Sequence, residues 1–310
     1  MFKETIYPEF SWSLSRHKTF LDCQRKYAYD YYIGHNGWKN DAPTISRDAY
    51  RLKKITNLEM LFGNAVHDII FNVIKQYLST NHIPSESELI LRLRNILNTA
   101  FQDSMHRKSL WIARPKYYTM LHEIYYNGSL PVEKVNDIQE RLDVCIKHFF
   151  NSKTFTDIIN KRQMRFVEAE RFRYMKMNDV KITIVMDFVY RDIQEGKWII
   201  VDWKTGKESF EDRHQLALYA MYLQRAFNVK DLDEIEIRNE YLLSGTHKSY
   251  KLNPVDLDKL EEMFGLSIQT MLNYLEDPEQ NKPFSLEYFP KTEYEKKCER
   301  CNFKELCEMY

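Results

Sequence analysis

The sequence predicts a single α/β domain in which a mixed central sheet is flanked by helices. Residues 166–250 contain several segments rich in β-branched and aromatic residues around one amphipathic helix, as strands and a packed helix require. Apolar residues recur at helical spacing before this region, in residues 58–78, and after it, in residues 254–275. No linker separates these parts, so we interpret residues 1–310 as one domain with a helical insertion.

The N-terminal part of this domain, residues 11–60, is predicted to contain one helix and one connection. Ser13–Ile33 has aromatic residues at helical spacing, and a polar connection runs from Gly34 to about Lys54. Residues 61–165 are predicted to be mostly helical, because the apolar face that begins at Leu58 is followed by further segments of helical periodicity.

Residues 166–250 form the predicted catalytic core. RFVEAERFRYM, ITIVMDFVYR, KWIIVDWKT and IEIRNEYLL are each predicted to be one strand, and HQLALYAMYLQRAF is predicted to be a helix. A turn at 193–196 joins the second strand to the third as a hairpin. Residues 251–310 hold a helix capped by Asn253 and Pro254, a loop over 277–297 and a cysteine-rich end.

Composition and charge indicate where the protein is located and what kind of partner it can bind. There is no run of eighteen uncharged apolar residues and no basic-then-apolar N-terminus, so we expect a cytoplasmic protein with no membrane partner. The net charge is zero, but residues 1–180 carry 27 Lys and Arg against 20 Asp and Glu. A positive half could hold a phosphate backbone, although a chance imbalance on solvated faces explains the counts equally well.

A carboxylate–lysine pattern lies in two of the predicted strands. Asp187 is in one strand, and Asp202 and Lys204 are two residues apart in the next, so they share a face. Two carboxylates brought close by a hairpin repel each other unless a divalent cation lies between them. With a lysine for the phosphate or the attacking water, the set suits phosphodiester hydrolysis. The alternative is two unrelated acidic residues and an exposed lysine, a triplet common by chance.

The surrounding motifs resemble those of a known family. The pattern D-x14-D-W-K-T-G, followed by Gln215 and Tyr219, resembles the RecB/AddB-like branch of the PD-(D/E)XK nuclease superfamily. The family's glycine before the first aspartate is absent, because Val185-Met186 occupies that region. The spacing of Gly63 and His67 matches the G-x3-H motif of the same branch. The resemblance implies a restriction-endonuclease-like sheet.

The resemblance also implies a role for each site residue. The metal ligands implied are the side chains of His67, Asp187 and Asp202 and the backbone carbonyl of Trp203. Lys204 would position the water or stabilise the phosphate. The resemblance assigns further site roles to Gln215 and Tyr219, which organise the site, and to a strand glutamate, Glu168 by preference over Glu170.

The implied histidine ligand bears on the choice of metal. Imidazole is softer than carboxylate, so this site should favour manganese over strict magnesium chemistry. We therefore expect Mn²⁺ to support activity at least as well as Mg²⁺. Without the resemblance, a lone helical histidine is more often a satisfied core or surface residue.

The five cysteines have an unusual distribution. Their odd number, without a signal peptide, argues against a disulfide framework. Cys298, Cys301 and Cys307 form a C-x2-C-x5-C pattern, Cys23 is the obvious fourth ligand, and Cys145 is predicted to be a buried core residue. This layout resembles iron–sulfur nuclease domains, including those of CRISPR-associated RecB-like exonucleases, with one cysteine before the core and three after it. The resemblance implies a [4Fe–4S] cluster that joins the two ends, and a structural Zn²⁺ site is the alternative.

The sequence thus predicts a metal-dependent DNA exonuclease that acts on single-stranded ends in repair, recombination, CRISPR adaptation or defence. No Walker motif is present, so any helicase, CRISPR or repair partner would be a separate chain. Two other interpretations are kept. One is a catalytically silent nuclease fold that binds DNA or a partner protein. The other is a redox protein built on the cluster.

Overall fold

The computed structural model describes residues 5–160, 164–168, 171–208 and 212–310. Its strands are β1 Ser11–Trp12, β2 Ile55–Thr56, β3 Met120–Leu121, β4 Met164–Glu168, β5 Arg171–Met177, β6 Val180–Met186, β7 Phe188–Asp192, β8 Lys197–Lys204, β9 Ile235–Tyr241, β10 Thr246–Tyr250, β11 Leu275–Asp277 and β12 Lys282–Pro283. Its α-helices are α1 Leu14–Asp22, α2 Gln24–Ala28, α3 Thr44–Leu52, α4 Leu58–Thr80, α5 Glu86–His106, α6 Lys108–Ala113, α7 His122–Asn127, α8 Val132–Phe150, α9 Lys153–Ile159, α10 Asp212–Phe227, α11 Pro254–Leu272, α12 Glu295–Glu299 and α13 Lys304–Met309. A π-helical turn, Tyr29–Ile33, follows α2.

A mixed sheet of five strands, in the order β10-β9-β8-β7-β4, lies at the centre, as the sequence predicted. The pair β8 and β9 is parallel, and the other neighbours are antiparallel. The parallel pair needs a crossover, which α10 supplies. The mixed α/β architecture is consistent with a PD-(D/E)XK nuclease fold.

Helices cover both faces of this sheet, and β8 shows how. Trp198 and Ile200 belong to a core shared with α10 and α11. Ile199, Val201 and Trp203 belong to a second core shared with α4, α8 and α9. Because strand side chains alternate, a strand buried on both faces reads as the unbroken apolar run seen in the sequence.

A second sheet, in the order β1-β6-β5, lies beside the central one. β5 and β6 form a hairpin whose turn residues Asn178 and Asp179 both have positive φ, which this residue pair tolerates well. β6 ends at Met186 and β7 begins at Phe188, so the chain passes from the second sheet into the central sheet at Asp187. The prediction of one strand over ITIVMDFVYR was wrong, and so was that over RFVEAERFRYM, which contains β4 and β5.

The predicted helix over Ser13–Ile33 is interrupted at Cys23. This residue is extended, with φ −169° and ψ 116°, and its thiol accepts a hydrogen bond from the Lys26 N–H at 3.4 Å. The Arg25 N–H, unsatisfied in the first turn of α2, donates to the Pro290 carbonyl at 3.0 Å. A contact across nearly the whole chain therefore compensates for the break.

Two predicted irregular segments contain regular structure. The polar connection between 34 and 54 includes helix α3, and the loop over 277–297 includes β12 and the start of α12. Other elements were predicted correctly. Asn253 forms a capping box with Asp256 at the start of α11, and the turn at 193–196 joins β7 to β8 with Gly196 at φ 69°.

The two ends of the chain pack against each other. The Tyr29 ring stacks on Phe303 with centroids 5.5 Å apart, and its hydroxyl donates to the Leu306 carbonyl at 3.2 Å. The Arg25 side chain donates to the Phe289 carbonyl at 2.7 Å. Among the described residues, no helix is both long enough and apolar enough to cross a bilayer.

Candidate active site

The antiparallel pairing of β7 and β8 brings the two predicted aspartates together. Phe188 lies opposite Val201, and continuing this register by one residue sets Asp187 opposite Asp202. Asp187 lies outside the ladder, where the chain turns between sheets, and its Oδ2 accepts a hydrogen bond from the Trp203 N–H at 2.8 Å. A side-chain acceptor thus replaces a strand carbonyl, which fixes the carboxylate at the end of β8.

Asp202 is a buried carboxylate, with a side chain 3% exposed. Its Oδ2 lies 2.7 Å from the Lys204 ammonium, so the two residues share a face of β8 as predicted. Burial, with repulsion by Asp187 as the second cause, raises the pKa of Asp202 to about 7 despite the favourable charge of Lys204. The pocket thus disfavours the second negative charge and would favour an added cation.

His67 lies on α4, which packs on the face of the central sheet opposite to α10. Its Nδ1 lies 3.4 Å from Asp187 Oδ2. The helix can approach because residue 63, one turn earlier, is glycine: a Cβ there would lie 3.3 Å from the Thr205 Oγ1 just beyond β8. The G-x3-H spacing therefore combines the close approach of a helix with a side chain aimed at the site.

Gln215 and Tyr219, four residues apart on α10, close the site from the helix side. Gln215 Oε1 lies 3.5 Å from the Lys204 ammonium, and its Nε2 lies 3.4 Å from Asp202 Oδ1 and donates to the Tyr219 hydroxyl. Tyr219 in turn donates to the Val185 carbonyl of β6 at 2.6 Å. The pair links α10, β8 and the second sheet.

The structure does not test the roles predicted for the strand glutamate and for the Trp203 carbonyl. The Glu168 backbone pairs with Val189 at the sheet edge, but its side chain, like all of Glu170, falls outside the described part of the structure. Trp203 contributes its N–H to Asp187, and its buried ring packs edge-on against Phe149. The role predicted for the Trp203 carbonyl stays a prediction.

The sequence analysis missed one polar residue next to the site. Asn239 lies beside Asp202 in the parallel register of β8 and β9, is fully buried, and donates to the Tyr241 hydroxyl at 3.2 Å. No sequence signal singled it out, because Asn239 lies between two other polar residues, Arg238 and Glu240, and the burial of all three follows only from the fold.

The side chains are of types that bind a divalent cation, but they are not arranged as a complete set of ligands. His67, Asp187 and Asp202 converge, and the raised pKa of Asp202 is the electrostatic strain that a cation would relieve. Within the described ranges, however, no three His, Cys, Asp or Glu side chains are already arranged to hold a metal ion. In the structure, Lys204 neutralises one aspartate and His67 contacts the other.

The four predicted cluster cysteines line one cavity of about 830 Å³. None is in a disulfide. Burial raises the pKa of Cys301 to about 11 and also raises that of Cys307. Cys145, by contrast, is fully buried in the core beside α4, as predicted. Basic residues line the cavity with the cysteines: Lys26, Lys291, Lys296, Lys297, Arg300 and Lys304.

The family model described as the PD-(D/E)XK nuclease superfamily matches residues 11–308. No curated protein matches the chain significantly. Among solved structures, the chain is similar to the crystal structure of SSO0001, with 15% identity over 78% of this chain and 94% of that chain. The TM-score is 0.30, so this likeness carries no argument.

Proposed function

The chain belongs to the PD-(D/E)XK nuclease superfamily, and on that premise we propose that it is a metal-dependent exonuclease of single-stranded DNA ends. One observation carries the proposal. Two aspartates, a histidine and a lysine converge at the C-terminal end of β8. They come from α4, the β6–β7 junction and β8 itself. That set can hold a cation and a phosphate side by side.

The proposed division of roles follows from the contacts. His67, Asp187 and Asp202, with the Trp203 carbonyl, would hold a divalent ion, a cofactor that nucleases of this superfamily generally use. When bound, the ion polarises the phosphate and lowers the pKa of water. Hydrolysis also needs a cationic donor for the phosphate oxygen or the water, and Lys204 is the ammonium present.

Gln215 is proposed to act through its neighbours. Its amide contacts both the Lys204 ammonium and an Asp202 oxygen. It would therefore keep Lys204 beside Asp202 when the carboxylate binds the metal ion and the ammonium binds the phosphate or the water. Tyr219 anchors that amide to β6. Glu168 is proposed as the family's strand glutamate.

We propose that Cys23, Cys298, Cys301 and Cys307 bind a [4Fe–4S] cluster. Their thiols share one cavity, and a metal centre would offset the cost of forming buried thiolates. Six basic residues line the cavity against three acidic ones, Asp22, Glu299 and Glu308, and this excess of positive charge suits a cluster of net negative charge. An anaerobic absorption spectrum separates the cluster, which absorbs visible light, from colourless Zn²⁺. The proposed setting is cytoplasmic, and any helicase or CRISPR and repair partner would be a separate chain.

The nuclease proposal is tested with end-labelled single-stranded DNA and Mn²⁺. Wild type should release labelled nucleotides from an end, and a circular strand should stay intact. Lys204→Ala should slow release by about 100-fold or more, the usual loss when one positioned donor is removed. Lys197→Ala is the matched control, because Lys197 lies at the opposite end of β8.

Three results would contradict all or part of this proposal. Equal release by Lys204→Ala and wild type would assign the cleavage to another site or to a contaminant. Binding without any cleavage, under Mn²⁺ and Mg²⁺ alike, would favour a catalytically silent fold. Cutting of the circular strand would retain the nuclease and exclude strict dependence on ends.

A further inference from the structure

A buried asparagine lies next to Asp202 on the neighbouring strand of the central sheet. The parallel register of β8 and β9 pairs Asp202 with Asn239. Ile200 and Ile237, two residues earlier in each strand, both belong to the core shared with α10 and α11. Because side chains two residues apart share one face of a strand, Asp202 and Asn239 both point to the α10 side of the sheet. Asn239 is thus a near neighbour of the proposed metal ligand, on the side away from β7 and Asp187.

The side chain of Asn239 contains an unpaired hydrogen-bond acceptor. Its Nδ2 donates to the Tyr241 hydroxyl at 3.2 Å. Its Oδ1 has no hydrogen-bond partner in the described part of the chain. Asn239 is fully buried, so bulk water does not reach this oxygen. An unpaired buried carbonyl oxygen is unfavourable, because it loses the hydrogen bonds that it made to water in the unfolded chain.

The strand and its core do not require a polar residue at this position. Ile235 and Ile237 occupy the same face of β9, and both are buried. An apolar residue at position 239 would continue that pattern and would leave no oxygen unpaired. Unpaired polar groups in a folded interior are few, and a bound group that supplies the missing partner is one of the recognised reasons for them. The unpaired oxygen of Asn239 therefore points to a donor that enters with a ligand.

The amide of Asn239 is directed toward the end of the strands that carries the site. Its partner Tyr241 lies two residues farther along β9 and is paired in register with Lys204. β8 and β9 are parallel, so their C-terminal ends lie at one edge of the sheet, where the aspartates, His67 and Lys204 meet. Because Oδ1 and Nδ2 are bonded to the same carbon, the unpaired oxygen also lies toward this edge.

A water bound to a divalent ion is a donor that suits this acceptor. Hard divalent ions held through a few carboxylates keep several of their waters. The oxygen of such a water faces the ion, so its hydrogens point outward to nearby acceptors. Neighbouring strands lie about 4.8 Å apart, and polar groups more than about 3.5 Å apart are commonly bridged by one water. An amide oxygen accepts this hydrogen bond without adding a third negative charge beside Asp187 and Asp202.

We propose that Asn239 is a positioning residue of the metal site, whose Oδ1 accepts a hydrogen bond from a water on the divalent ion held by Asp202. The inference rests on the proposed function, because it assumes the ion at Asp202. Tyr241 holds the amide in place through its hydrogen bond with Nδ2. The role of Asn239 is to orient the ligands of the ion and not to take part in the chemical step.

The test measures metal binding by the full chain in the absence of DNA. Free Mn²⁺ gives a sharp electron paramagnetic resonance signal and bound Mn²⁺ does not, so a titration yields the dissociation constant. The binding component that Asp202→Asn removes is the one assigned to the site. Asn239→Leu, which has the same branching without polar atoms, should raise that dissociation constant by about ten-fold or more, the usual effect of removing a group that orients a metal ligand.

Metal-free stability separates this role from a purely structural one. In EDTA, Asn239→Leu should unfold in urea near the wild-type midpoint, because the lost hydrogen bond to Tyr241 is offset by the removal of an unpaired oxygen. Asn239→Val, which is smaller and well suited to a strand, is the second variant in case the leucine side chain is too large. Tyr250→Phe is the matched control. It removes the hydroxyl that lies 3.4 Å from the Tyr241 hydroxyl, at the outer end of the same network, and should leave the Mn²⁺ dissociation constant unchanged.

The outcomes separate this inference from the proposed nuclease. If wild type cleaves DNA in Mn²⁺ while both Asn239 variants bind the ion as wild type does, the nuclease stands and the role of Asn239 is overturned. Weaker binding that comes only with a marked loss of metal-free stability would also overturn it, because Asn239 would then belong to the framework of the sheet. If both variants bind Mn²⁺ weakly at near wild-type stability but wild type cleaves no DNA, the role of Asn239 stands and the nuclease fails. Absence of any Mn²⁺ binding that depends on Asp202 would overturn both.

Discussion

Asp202→Asn should stabilise the metal-free protein at neutral pH. The raised pKa means that the folded protein pays for ionising this carboxyl, and asparagine has a similar shape without the charge. Between the unfolded value of 3.8 and the folded value of about 7, the native state binds more protons than the unfolded state. Stability should therefore fall as pH rises through this window.

The size of the effect follows from the two pKa values. A change from 3.8 to about 7 corresponds to about 4 kcal/mol, and water penetration makes this an upper bound. We expect the variant to exceed wild type by about 2–4 kcal/mol at pH 8 in EDTA. The two proteins should converge near pH 4, where Asp202 is protonated in the native state.

The assay is urea unfolding from pH 4 to 8, with and without Mn²⁺. The difference between the two proteins isolates Asp202 from every other titrating group. Mn²⁺ at 100 times its dissociation constant should stabilise wild type by about 2.7 kcal/mol and the variant by less. Parallel stability curves for wild type and Asp202→Asn in EDTA, or equal stabilisation of both by Mn²⁺, would refute the reasoning.

Three further predictions concern the same machinery. Mn²⁺ should support cleavage at least as well as Mg²⁺ across a titration, and His67→Ala should remove any preference; higher activity in Mg²⁺ throughout would exclude an imidazole ligand. Gly63→Ala should lower cleavage several-fold, because its Cβ would lie 3.3 Å from Thr205, whereas Gly206→Ala, with no atom within 4 Å, should not, and equal effects would contradict the close approach. Cys298→Ser should remove visible absorption and lower the melting temperature by several degrees, and unchanged absorption would place the chromophore elsewhere.

β8 could be predicted because its sequence pattern directly reflects which of its residues are buried and which reach the site. β8 is apolar on both faces between Lys197 at its start and the polar residues at its end, and Asp202 and Lys204 were assigned to one face correctly. The cap of α11 depends on a four-residue motif, so it could also be predicted from the sequence. Asp187 was not predicted correctly in detail. Its segment has continuous strand propensity, and only pairing with different sheets reveals the bend.

Other features could not be predicted from the sequence, because they depend on contacts between residues that are far apart in the chain. The helix break at Cys23 carries no glycine or proline signal and is compensated by the Pro290 carbonyl. β10 is an exposed polar edge strand without apolar alternation, so no period marked it.

The position of Asp187 makes the geometry of the nuclease site sensitive to how the two sheets are aligned. One carboxylate is fastened to the junction of two sheets, while its counterpart belongs wholly to one of them. A small slip of the outer sheet, too slight to expose the core, would separate the carboxylates before anything unfolded. Substitutions far from the site, along the seam between β6 and α10, could therefore silence the enzyme in a protein that still melts normally.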